Sequence, residues 1–85
     1  MIGMLRGEVY IRSAELIMLD VQGVGYELTC PLTTVERLPK VGQECTLFVK
    51  TRVRDDQINL FGFSTLHQRR LFNHLTSVSG VGPRL

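Results

Sequence analysis

The stretch Arg52-Val53-Arg54-Asp55-Asp56 sets two guanidinium groups directly before two adjacent carboxylates. The arginines attract a nucleic-acid backbone and the carboxylates repel it, so together they would steer phosphates rather than only hold them. Two other readings stand beside that one. Aspartate forms turns by bonding its own nearby backbone, which accounts for one of the pair more readily than for both. A metal ion needs more oxygen ligands than these two residues supply by themselves. The second candidate is Gly80-Val81-Gly82-Pro83-Arg84. Its glycines permit left-handed backbone angles and Pro83 suits a first helical position, so backbone N–H groups would face a phosphate where a helix begins. Arg84 would add an ionic contact. Gly80 equally fits the left-handed C-cap of the preceding helix, with Val81 as its hydrophobic contact, and the two roles are compatible.

No catalytic constellation assembles from the remaining residues. The chain has no G-x-x-x-x-G-K-[ST] loop to cradle a nucleoside triphosphate. His67 and His74 stand seven apart, with no cysteine or further histidine at metal spacing. They read as helix residues, at the surface or partly buried. Ser77 and Ser79 lack a base and an orienting acid. The expectation is a non-catalytic chain without cofactor or metal.

Charge points to the same half of the sequence. Residues 1–49 hold four basic and six acidic side chains, and residues 50–85 hold six basic and two acidic, those two being Asp55 and Asp56. The 85 residues allow one small domain but not a second complete one. At 44% hydrophobic and 21% charged the balance is globular, with no run near the roughly 18 apolar residues of a membrane span. The start, MIGMLRGEVY, has no charged region followed by an apolar one and a cleavage site, so an intracellular protein is expected. Cys30 and Cys45 are too few for a disulfide framework and read as buried free thiols.

These candidates need elements to position them. Leu5, Gly7, Val9 and Ile11 alternate with Arg6, Glu8, Tyr10 and Arg12, the period-two pattern of a half-buried strand. ELIMLDVQ is apolar on both faces, as in mid-sheet strands. GVGYELTC reads as a turn and a third strand, with Gly23 and Gly25 flanking Val24 at positive-φ hairpin positions. Pro31 and Pro39 leave room between them for one short helical turn. In ECTLFVKTRVR one face takes Cys45, Leu47, Val49, Thr51 and Val53, and the other takes Phe48, Lys50, Arg52 and Arg54, a basic ladder. QINLFGF is a fifth strand, which sets Asp55 and Asp56 at or near a hairpin tip. From Thr65 the pattern turns helical, with a Thr65–Gln68 capping box and Leu71, Phe72, Leu75 and Val78 on one face. The class is mainly β, a five-stranded OB-fold barrel followed by one helix.

The ordered segments MIGMLRG, GVGYE, VRDDQINLFGF and LFNHLTSVSGVGPRL resemble the N-terminal part of the RuvA family of bacterial Holliday junction branch-migration proteins, over essentially the whole chain. The resemblance implies an OB-fold domain over residues 1–63 and, over residues 64–85, the truncated start of a helix-hairpin-helix domain. Gly80, Val81, Gly82, Pro83 and Arg84 match the first helix-hairpin-helix turn, which grips phosphate through its backbone. Arg54 joins them as a DNA-binding candidate from the ladder. Asp55 and Asp56 match the family's acidic pin, which at the junction centre keeps strands apart and guides their exchange. The implied partners are four-way junction DNA, further copies in a homotetramer, and the RuvB ATPase through a C-terminal domain that this sequence lacks. Such a subunit is a non-catalytic accessory to an ATP-dependent helicase complex in recombination and repair, in the bacterial cytoplasm. On that pattern the 85 residues read as a fragment. The alternative is a general single-stranded nucleic-acid-binding module, with Tyr10, Phe48 and Phe61 stacking bases from one exposed barrel face.

Overall fold

Along residues 1–77, which the computed structural model describes, run β1 (Met4–Arg12), β2 (Ile17–Val21), β3 (Val24–Leu28), α1 (Leu32–Arg37), β4 (Glu44–Arg54), β5 (Gln57–Phe63) and α2 (Leu66–Ser77). The strands form one sheet in the order β3-β2-β1-β4-β5, every neighbouring pair antiparallel. The two edges then meet. Thr29 bridges to Phe61 in the parallel sense, its N–H donating to the Leu60 carbonyl at 2.9 Å and its carbonyl accepting from the Gly62 N–H at 2.9 Å. Closure satisfies edge groups that would otherwise template aggregation.

Alternation decides what fills the barrel. Leu5, Val9, Ile17, Leu19, Leu28, Leu38, Leu47 and Val49 are its buried core, with Leu19 wholly shielded. On β1 the pattern holds through Val9 and then slips, because a bulge between Val9 and Ile11 leaves Tyr10 outside and Ile11 only half-buried. Gly7 marks a close approach, since a Cβ there would stand 2.6 Å from the Asp20 carbonyl oxygen of the neighbouring strand.

The first GVG meets the expectation at Gly23 and departs from it at Gly25. The β2–β3 turn is Gln22-Gly23, at φ 52° and 90°, while Val24 and Gly25 already belong to β3 and Gly25 has no positive φ. A two-residue hairpin with both central residues left-handed follows the twist of its strands better than a wider glycine-flanked loop. The Asp20 carboxylate secures it by accepting from the Gly23 N–H at 2.7 Å.

Outside the barrel α2 builds a second, smaller core. Phe72 is buried against Phe61 and Phe63, with ring centroids 5.2 and 5.0 Å apart. Thr65 caps the helix by accepting from the Gln68 N–H, but the Gln68 side chain reaches past Thr65 to the backbone and hydroxyl of Ser64. The capping box is thus displaced by one residue. Leu71, expected on the buried face, is 50% exposed, and Leu75 is half-buried; Val78 lies outside the described residues. Arg69 ties α2 to the sheet by donating from Nη1 to the Gly3 carbonyl at 2.9 Å. Thr51 in turn bonds both the N–H and the carbonyl of Ile2, so the N-terminal residues clamp strand and helix together. Both cysteines are free and half-buried rather than fully enclosed.

Candidate nucleic-acid interface

β4 and β5 run beyond the barrel as a two-stranded ribbon. Their register pairs Lys50 with Phe61, Arg52 with Asn59, Val53 with Ile58 and Arg54 with Gln57, leaving Asp55-Asp56 as a two-residue turn. Because directly opposed residues share a face, Lys50, Arg52 and Arg54 lie on one side with Asn59 and Gln57, and Val53 and Ile58 lie on the other. Lys50 and Arg52 are half-buried, whereas Arg54 and both aspartates are exposed.

The turn holds Asp55 at φ 49° and Asp56 at φ 65°. Both central residues are left-handed, the pattern of a type I′ hairpin, for which Asn-Gly or Asp-Gly is the favoured sequence. The Gln22-Gly23 turn keeps the glycine; this one does not. A second aspartate in that place costs on the order of 1 kcal/mol of backbone strain relative to glycine. Turn formation therefore explains Asp55 and leaves Asp56 unexplained. Among the described residues no group of three or more His, Cys, Asp or Glu side chains comes together that could hold a metal ion.

Negative charge gathers at the other end of the sheet. Glu44, Glu8 and Asp20 are lateral partners across β4, β1 and β2, and Glu27 lies opposite Met18 on the same outer face. Like charges opposite each other disfavour the sheet locally and repel phosphate. From Glu44 to Lys50 is six residues, about 20 Å along the strand, so at ordinary salt the two ends act independently.

The three aromatic candidates are not brought together as a stacking platform. Phe61 packs under Phe72, and Phe48 is half-buried beside Phe63. Tyr10 is six residues along β1 from Met4, the partner of Phe48, and so about 20 Å away. α2 claims the face that bases would need. Gly80, Val81, Gly82, Pro83 and Arg84 lie outside the described residues. The exposed apolar pair Val53 and Ile58 was not singled out by sequence, because alternation assigned Val53 to the core face without saying where the barrel ends.

Strand order, closure through Thr29 and a short helix between β3 and β4 define an OB-fold barrel domain. Within that class the chain belongs to the RuvA family, whose model for the RuvA N terminal domain matches residues 1–62. Proteins named Holliday junction branch migration complex subunit RuvA are similar over all 85 residues: one from Actinobacillus succinogenes is 51% identical, one from Histophilus somni 52% and one from Rubrobacter xylanophilus 47%. The chain spans only 42–43% of the length of these curated relatives. OB-folds commonly bind oligonucleotides on the face of strands 2 and 3. Here that surface carries Asp20 and Glu27, whose charge opposes phosphate.

Proposed function

We propose that this chain is the junction-contacting N-terminal part of a non-catalytic subunit that recognises four-way DNA and supports branch migration driven by a RuvB-type ATPase. One observation carries the reading: two carboxylates held at strained left-handed positions on the tip of a ribbon whose adjoining face is basic. Lys50, Arg52 and Arg54 draw the phosphate backbones in along the ribbon. Asp55 and Asp56 meet them at its end, where repulsion keeps strands separate and able to exchange.

On this reading residues 1–63 are the barrel domain and residues 64–85 begin a helix-hairpin-helix domain, in which Gly80, Val81, Gly82, Pro83 and Arg84 grip phosphate. Four copies surround the junction in the intact protein, in the bacterial cytoplasm. The ATPase is reached through sequence present in the longer relatives. The single-strand alternative loses its support with the aromatic platform.

The test is Asp55→Asn with Asp56→Asn in the full-length protein. Asparagine tolerates left-handed angles as well as aspartate does, so the turn persists while two negative charges are lost. Junction affinity at low ionic strength should rise about three- to tenfold, and strand separation at the branch point should fall. Unchanged affinity at low salt would reduce the pair to turn formers.

A further inference from the structure

We propose that Val53 and Ile58 form an apolar seat for an unstacked nucleobase at the branch point of four-way DNA, a role that rests on the junction-binding reading above. Along β4 the inward stripe runs from Leu47 and Val49, each 1% exposed, through half-buried Thr51 to Val53 at 66%. Opposite Val53, Ile58 is 69% exposed. The stripe that packs the barrel thus continues past its rim into water, two residue pairs below the acidic turn.

The charges around this pair sort what can reach it. Arg52 and Arg54 lie on the opposite face of the ribbon and draw phosphate there. Asp55 and Asp56 close the tip against phosphate. On the Ile58 side a polar cleft of about 320 Å³ is lined by Glu15 and Glu27, which repel it as well. What remains able to approach Val53 and Ile58 is the uncharged, flat part of a nucleotide. Size argues the same way. Two aliphatic side chains offer on the order of 200 Å², far short of the roughly 800 Å² per partner of a stable protein interface but enough to cover a base. Aliphatic wedges against unstacked steps are a recurring device in DNA-bending proteins. A cross-strand pair of β-branched residues also steadies a hairpin, so stability is measured alongside binding.

The probe is a four-way junction carrying 2-aminopurine beside the branch point, titrated at low salt with the 85-residue chain to saturation. Binding should raise its fluorescence severalfold as the base leaves the stack. Val53→Thr with Ile58→Thr keeps both positions β-branched. It should cut that rise by at least half and weaken junction affinity about three- to tenfold, leaving linear-duplex affinity and the thermal midpoint unchanged. Ile58→Phe, which enlarges the apolar surface, should move both readings the other way. A full rise in the double threonine variant overturns the proposal. So does altered sedimentation with unaltered fluorescence, which would assign the pair to contacts between copies; if that variant does not fold, an Ile58→Phe response in the wrong direction or none is decisive. A wild-type chain that does not distinguish four-way from linear DNA would instead sink the junction reading itself, and this inference with it.

Discussion

At the second central position of the β4–β5 turn, Asp56 sits at φ 65°, where glycine is free of strain and aspartate is not. Asp56→Gly should therefore raise stability by about 0.5 kcal/mol, the relief of strain slightly exceeding the added chain entropy. Urea denaturation measures it, and a loss of stability would mean that the aspartate makes a favourable local bond. The same substitution removes one carboxylate, so stability and junction handling should separate at this residue. Cys30 offers a test by pH. Burial is the main cause that pushes its thiol from 9.0 up to about 12, the Gly62 backbone hydrogen bond opposing and Cys45 adding to the rise. A raised pKa means that the fold favours the neutral thiol, whose contribution is complete below about pH 9 and fades as pH climbs toward 12. The stability gap between wild type and Cys30→Ala should accordingly narrow between pH 9 and about 11, as followed by urea midpoints. A constant gap would show that the thiol ionises as easily in the fold as in the open chain.

The β4–β5 ribbon and α2 are the elements that make this barrel specific. Alternation gives the ribbon one basic face and one apolar face, and its tip gathers charge of the opposite sign. α2 matters because Phe72 packs on Phe61 and Phe63, which ties those rings to the helix and keeps them from forming one flat stacking face with Phe48 and Tyr10. Phe72 holds that arrangement. Phe72→Ala should cost about 3 kcal/mol through lost burial and a cavity between helix and sheet. Hydrogen exchange should show α2 amides losing protection while β1 and β2 keep theirs, because the barrel core does not include Phe72. Uniform loss of protection would mean that barrel and helix fold as one cooperative unit.

For the whole molecule the consequence is polarity. Basic side chains line one face of the ribbon, and Glu44, Glu8 and Asp20 form an acidic row toward the far end of the sheet, so an anionic ligand is favoured at one end only. Three basic residues on the ladder set the scale of the salt effect. The logarithm of junction affinity for the 85-residue chain should fall with the logarithm of salt at a slope of about −2 to −3. A full-length relative, with additional phosphate contacts, should bind more tightly and with a steeper slope. Titrating both against one labelled junction at several salt concentrations decides it. Equal slopes would place all the phosphate contacts within the barrel and its helix.

The sequence by itself determined the five strands, the two helices, the basic ladder and the tip position of Asp55-Asp56, because each follows from side-chain period and turn chemistry within a few residues. Its ordered segments also carried the family. It set Gly23 correctly in the first turn but put Gly25 there too, since period two cannot say where the strand resumes, and the pairing of Val21 with Val24 settled that. Only the tertiary structure decided which apolar residues are covered. Alternation reports which face a side chain points to but not how far the opposite layer extends, so Val53 and Val49 look alike in sequence and differ from 66% to 1% in exposure. The same limit hid the acidic row of Glu44, Glu8 and Asp20, residues far apart along the chain whose charges add up only because three strands set them side by side.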